Sequence, residues 1–246
     1  MVLIHGIGAR SHYGPIHYFF GLPGLLSRER IRHISVRLSP WKNFMQRAIE
    51  LREQIVAHFP EGKLNLIGHS MGGLDARYLI SQLDFGDRIE SLTTIGTPHR
   101  GTPLATMALL PVGSRRRTWA RRFFSTLGYP IEALDCLTPD FCQRELVALT
   151  PPDPRVAYYS MTSAIPAREI AKKSLPLFWL SNRWIRKIDG ENDGMISVNS
   201  ARYGESLAVF PGDHYGQIGQ LLGRSRGLDY PELYRMILRK LQLRGH

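Results

Sequence analysis

The stretch at residues 64–74, LNLIGHSMGGL, restricts the fold more than any other part of the chain. An apolar run of strand length passes through Gly68, Gly72 and Gly73 into a segment with helical apolar spacing. A strand that turns directly into an amphipathic helix is half of a crossover unit, and crossover units build parallel sheets. The alternation recurs. Residues 2–4, 34–36, 64–67, 92–95, 156–161 and 207–210 are short apolar runs that read as strands. Between them, residues 41–58 carry Phe44, Ala48, Leu51 and Ile55 at helical spacing, and residues 74–83 and 231–243 show similar stripes. The expected class is α/β, a mostly parallel open sheet flanked by helices, and 246 residues suit one domain built on such a sheet.

Two intervals interrupt the alternation and are expected to be cap insertions, at about 100–154 and 164–189. The first contains SRRRTWARRFF at 114–124 and the second KKSLPLFWLSNRWIRK at 172–187. Cations interleaved with large apolar groups suit a membrane interface, where rings enter the acyl boundary and cations meet lipid phosphates. They equally suit a cap that packs its rings on the domain and leaves its arginines in water.

Thirty-two Lys and Arg against twenty-one Asp and Glu give a formal charge of +11, which favours anionic partners. No zinc-finger spacing, RNP-like aromatic motif or helix-turn-helix signal accompanies the charge, so nucleic acid is not the expected partner. Cys136 and Cys142 are too few for a disulfide scaffold and fit no metal or redox spacing, which leaves buried thiols or one local bridge. Residues 1–10, MVLIHGIGAR, lack the basic and long apolar regions of a signal peptide, and no run is long enough to span a bilayer. A cytoplasmic location is therefore expected, with the basic caps raising contact with the inner membrane face. Because the apolar run begins at Val2, a segment missing upstream is left open as well.

Gly68-His69-Ser70-Met71-Gly72 satisfies Gly-x-Ser-x-Gly between a strand and a helix, the context in which that pattern presents a serine nucleophile. A hydroxyl there sits at a helix N-terminus, whose free N–H groups favour the negative charge that develops in acyl transfer. It still needs a base and an orienting carboxylate. His214, in PGDHYGQIG, follows the last strand in a glycine-rich loop, and Asp193, in GENDGMISV, precedes that strand. Asp189 and Glu191 are alternative carboxylates, and Asp213 reads as a loop residue. His69 and His99 compete with His214 and read as structural. Met71, at the start of the helix, is placed to aim its N–H at the carbon under attack.

The order Ser, Asp, His is that of α/β-hydrolases, and five stretches extend the likeness. VLIHGIG, LNLIGHSMGGLDARYLIS, TIGTPHRGTPLA, GENDGMISVNSARYG and DHYGQIGQ resemble, in order, segments of the bacterial triacylglycerol lipases and their esterase relatives, from Val2 to Gln220. The resemblance implies an α/β-hydrolase fold and an ester hydrolase with Ser70 as nucleophile, His214 as base then acid, and Asp193 orienting the imidazole. It further implies an oxyanion hole made by the main-chain N–H groups of Ile7 and Met71. Residues 129–146, with their LTP segment, resemble a cap helix of lipase-like esterases. Many secreted members hold a structural calcium through an aspartate two residues after the histidine. That place is Gly216 here, although Gln220 matches, so neither calcium nor any cofactor is expected. The expected activity is hydrolysis of a hydrophobic or lipid ester. An acyltransferase, thioesterase or amidase could use the same residues, and a non-catalytic binding module is the remaining reading.

Overall fold

The computed structural model describes residues 1–126, 133–165, 176–220 and 230–245. Six parallel strands form one sheet in the order β4-β1-β5-β6-β7-β8. They are β1 (Val2–Ile4), β4 (Ile34–Ser35), β5 (Leu64–His69), β6 (Ile89–Ile95), β7 (Ala157–Ala164) and β8 (Glu205–Pro211). All six expected strands are present, with ends displaced by a few residues. A small antiparallel hairpin, β2 (His12–Tyr13) and β3 (Ile16–His17), stands apart from the sheet.

Alternation along the strands decides what each face buries. Val2, Ile4, Leu64 and Leu66 face α2 (Phe44–His58) and α3 (Gly72–Gln82), where Ala48, Leu51, Ile55, Ala76 and Leu79 complete a core. Leu3, Ile67 and Ile95 face the other side, against Leu22 and Leu26 of α1 (Leu22–Arg28) and Leu233 and Ile237 of the C-terminal helix, Tyr230–Leu243. The helix expected from residue 41 starts at Phe44, because the Asn43 side chain accepts the Gln46 N–H and caps it there. Helices were expected to fill the intervals between strands, but no residues were assigned to the one that forms α1, and the hairpin was not expected. Pro23 and Gly24 break the apolar pattern of α1, yet Pro23 lies in its first turn, where a missing N–H costs nothing.

The interval at about 100–154 folds as α4 (Pro103–Ala108), α5 (Arg115–Thr126), a 3-10 turn at Asp135–Leu137 and a helical run from Pro139 to Leu149 with a π-helical middle. The continuous helix expected over 129–146 is therefore corrected within the described part. Thr138 is extended, with ψ of 146°, because the ring of Pro139 disfavours a helical residue before it. Residues 127–132, and 166–175 of the second interval, lie outside the described residues. From Pro176 to Asp189 the second interval is helical. The short helices α6 (Pro139–Phe141) and α7 (Val147–Leu149) flank the π turn, α8 is Pro176–Asp189, α9 is Val198–Ala201 and α10 is Tyr230–Leu243. A third core joins Leu104, Phe123, Phe178 and Ile185 of the cap to Ile7 and Met71, so the cap rests on the loops at the C-terminal ends of β1 and β5. No helix among the described residues is long and apolar enough to cross a membrane.

Candidate active site

Ser70 follows the last residue of β5 and takes φ of 54°, in the left-handed region that non-glycine residues seldom occupy. Its N–H donates to Ile95 O at 2.9 Å, which pins the turn to β6. The strain persists because the turn is hemmed in on all sides. A Cβ on Gly72 would stand 2.4 Å from Ile4 O, and one on Gly6 would stand 3.0 Å from the Ser70 Cβ. Only glycine lets the start of α3 and the loop after β1 come this close to the serine.

His214 and Asp193 are both fully buried, and His214 Nδ1 lies 2.7 Å from Asp193 Oδ2. The same carboxylate oxygen accepts from Gln217 Nε2 at 2.7 Å, while Oδ1 accepts the N–H groups of Met195 and Ile196 at 2.9 and 2.7 Å. Four donors converge on this carboxylate and fix its orientation, its two oxygens serving as acceptors. His214 Nδ1 must therefore carry the proton, which leaves Nε2 with its lone pair. Nε2 is buried and accepts no hydrogen bond among the described residues. The other carboxylates are engaged elsewhere. Asp189 accepts from Ser197 Oγ and Asn199 Nδ2, Asp213 accepts the Gly216 N–H, and Glu191 is exposed.

The loop after β1 is braced from below. Gly6 O accepts from Arg47 Nη1 at 3.1 Å and from His5 Nδ1 at 2.8 Å, and His5 O accepts from Arg47 Nη2 at 2.6 Å. In a planar trans peptide the carbonyl of Gly6 and the N–H of Ile7 point in opposite directions, so holding the first aims the second. Neither Ile7 nor Met71 donates its main-chain N–H to a partner among the described residues. Arg47 is held in turn by Asp75 Oδ2, at 3.0 Å from Nε and 2.8 Å from Nη2, with both side chains fully buried. Burial raises the Asp75 carboxyl above the usual carboxylate range, and the guanidinium beside it opposes that shift.

A second brace joins the two loops. The Tyr18 hydroxyl accepts the Gly6 N–H at 3.2 Å and lies 2.7 Å from His69 Nδ1. His69 Nε2 lies 3.1 Å from the main-chain oxygen of His214. A carbonyl can only accept, so Nε2 carries the proton and Tyr18 donates to Nδ1. Burial and then the neighbouring His214 hold His69 well below the ordinary imidazole range, which keeps it neutral. His99 is placed elsewhere, between Arg77 Nη1 and Thr94 Oγ1 at 3.1 Å each.

The remaining sequence candidates are placed as follows. Cys136 and Cys142 are free thiols in the cap core, and burial pushes each up to about 12. Gln220 spends its amide on the carbonyls of His17 and Tyr18. Among the described residues there is no group of three or more His, Cys, Asp or Glu that could hold a metal ion.

A sheet whose strand ends present a strained serine, a buried His-Asp pair and two unengaged N–H groups can be compared with known proteins. Residues 1–184 match the alpha/beta hydrolase fold family. The chain belongs to that family. It is 31% identical over 198 residues to triacylglycerol lipase 2 of Saccharomyces cerevisiae, covering 77% of this chain and 58% of the yeast protein. It is 27% identical to a triacylglycerol lipase of Pseudomonas fragi, covering 95% of this chain and 92% of that one. A triacylglycerol lipase of Vibrio cholerae, 32% identical over 119 residues, is matched over 38% of its length. Among solved structures, a mature lipase of Bacillus licheniformis superposes with a TM-score of 0.72 at 21% identity, over 96% of this chain and 90% of that chain.

Within this alpha/beta hydrolase, His5, Tyr18, Arg47, Asp75 and Gln217 are site residues that the sequence reading missed. One signal was available. Arg47 lies on the apolar stripe of Phe44, Ala48 and Leu51, where an unpaired cation would be costly, so a buried partner was implied. Nothing in the sequence marks Gln217 or Tyr18.

Proposed function

We propose that the protein is a serine hydrolase that cleaves carboxylic esters of hydrophobic or lipid substrates through an acyl-enzyme on Ser70. The observation that carries this reading is the free, buried Nε2 of His214, whose other nitrogen is tied to Asp193 in the loops beside Ser70. The relatives named as triacylglycerol lipases support the choice of an acyl lipid ester.

In this mechanism Nε2 of His214 takes the Ser70 proton as Oγ attacks the ester carbonyl carbon. Asp193 stabilises the imidazolium without taking its proton. The carbonyl oxygen becomes an oxyanion facing the N–H groups of Ile7 and Met71, donors already oriented before the charge forms. Collapse breaks the ester C–O bond, and the proton on Nε2 leaves with the alcohol. Water then gives its proton to Nε2 and its oxygen to the acyl carbon, releasing the acid and restoring Ser70.

Residues 1–246 act here as one hydrolase domain, with the insertions at about 100–154 and 164–189 as its cap. The basic cap segments touch an anionic membrane surface, where a lipid ester would be met. A fluorophosphonate probe tests the chemistry, since it should label the wild type and spare Ser70→Ala. An unlabelled wild type, or equal labelling of the two, would overturn the proposal. Release of acid from emulsified triacylglycerol and a series of p-nitrophenyl esters then defines the substrate.

A further inference from the structure

The two cationic segments of the cap come together in space. Helices α5 and α8 meet through Phe123 and Phe178, whose ring centroids are 6.1 Å apart. Beside this contact lies a groove of about 340 Å3, whose apolar lining is Met107, Trp119, Leu180 and Trp184. The rest of its lining is Arg115, Arg116, Arg183 and Lys187. All four cations are exposed, and among the described residues none forms an ion pair. The surface continues along α8, where Trp179, Leu180 and Ile188 are 40%, 44% and 57% exposed and Arg183 stands over the Trp179 ring at 5.0 Å.

Like charges facing one another across a groove repel, and nothing acidic in either helix relieves them. Helix α5 has no Asp or Glu, and Asp189, the one acid of α8, is bonded to Ser197 and Asn199. An anion between the helices would remove that cost. A free inorganic anion would have no use for two tryptophans and a leucine, and a neutral apolar ligand none for four cations. Apolar chains under a layer of phosphate satisfy both halves, which is the arrangement at a bilayer surface.

We infer that this groove docks the protein on an anionic phospholipid bilayer, with lipid phosphates between the α5 and α8 cations and acyl carbon against Trp119, Leu180 and Trp184. The inference rests on the hydrolase reading, because it names the surface that makes the membrane contact. The docked face adjoins the site. Asp189 ends α8 four residues before Asp193, and a Cβ on Gly194 would stand 3.0 Å from Phe178. A bilayer held by α5 and α8 therefore delivers its lipids beside the loops that carry Asp193 and Ile7.

The test is sedimentation with vesicles of phosphatidylcholine, with and without phosphatidylglycerol, on the full chain. The wild type binds only the phosphatidylglycerol vesicles. Arg116→Glu with Arg183→Glu weakens that binding by roughly thirtyfold or more, as expected for two lost surface cations. A control of equal charge, Arg28→Glu with Arg52→Glu on the exposed surfaces of α1 and α2, changes it by less than about threefold. In a Trp41→Phe background the tryptophan emission shifts to the blue on binding, and Leu180→Gln reduces both the shift and the affinity. Equal weakening by the two charge-reversed pairs would assign binding to net charge and overturn the site, as would an emission that does not move. A wild type indifferent to phosphatidylglycerol overturns the docking altogether. Hydrolysis of p-nitrophenyl butyrate stays unchanged in all these variants, and fluorophosphonate labelling of the same samples reports separately on the hydrolase reading.

Discussion

The ring of His69 reaches across to the main chain of His214, with Nε2 3.1 Å from the carbonyl oxygen, while its Nδ1 is held by Tyr18. The residue before the serine thus fixes the loop that carries the imidazole, and Tyr18 ties both to Gly6 of the loop after β1. Tyr18→Phe removes the acceptor of the Gly6 N–H and the donor to His69, leaving buried polar groups unpaired at a cost of about 1–3 kcal/mol. The expected result is a kcat roughly tenfold lower with KM little changed, because the loops are misplaced and the substrate pocket is not. A raised KM with unchanged kcat would place Tyr18 in substrate binding instead.

Asp193 precedes β8 and Asp213 follows it, yet Asp193 alone of the two is bonded to the imidazole. Asp193→Asn offers Nδ1 a donor in place of an acceptor and favours the wrong tautomer, so kcat should fall about 10³–10⁴-fold. Asp213→Asn, which keeps an acceptor for the Gly216 N–H, should stay within about tenfold. Steady-state kinetics on a soluble ester separates them, and a reversed order would move the acid role to Asp213.

Arg47 and Asp75 form a buried pair, and breaking it from one side leaves an uncompensated charge. Arg47→Met should destabilise the fold by about 3–5 kcal/mol. Arg47→Met with Asp75→Leu removes both charges and should recover most of that loss, because a well-packed apolar pair replaces a costly ionic one. Activity should not recover with it. The double variant still lacks the donors to Gly6 O and His5 O, so a kcat roughly 10–100-fold below wild type is expected at restored stability, read by urea unfolding and by kinetics on one preparation. Full recovery of kcat would mean that the pair serves the fold alone.

Three histidines are kept neutral by the fold. Burial lowers His5 to about 3 and, with the neighbouring His214 for His69 and Arg77 for His99, holds those two well below the ordinary value of 6.5. Below about pH 6.5 the unfolded chain takes up protons that the folded chain refuses, so stability falls as pH falls, through the window down to the folded values. Three such groups contribute a slope approaching about 4 kcal/mol per pH unit once all three are protonated in the unfolded state, partly offset by Asp75, whose raised carboxyl binds a proton in the fold before it does in the unfolded chain. Urea unfolding between about pH 7 and about pH 5 reads this slope. His99→Gln should remove about a third of the histidine contribution, and a slope unchanged by that substitution would contradict the assignment.

Much of the sheet could be read from the chain, for a local reason. Strands such as residues 64–69 are apolar on both faces because both are covered by helices, and short apolar runs between glycines survive as a signal without any partner in view. Helix α1 was lost because Pro23 and Gly24 obscure a stripe that only Leu22 and Leu26 carry. The cap helix expected over 129–146 failed at Thr138 and Pro139, where one ring outweighs the propensity of its neighbours. In the site, Ser70, Asp193 and His214 stood out because each sits in a turn pattern of its own. His69 read as structural from the sequence, and its reach to a carbonyl 145 residues away has no sequence signal.

By itself, then, the sequence settled the parallel α/β architecture and the turn that carries Ser70, since strand length, glycine placement and helical spacing are properties of contiguous residues. Tertiary structure alone decided which of Asp189, Glu191, Asp193 and Asp213 meets the imidazole, because a hydrogen bond depends on where loops from two strand ends converge. It also decided that Arg47 and Asp75 would be fully buried together and that the cations of α5 and α8 would share one groove. Burial and charge crowding arise between segments distant in the chain, and their energies exist only once those segments are brought together.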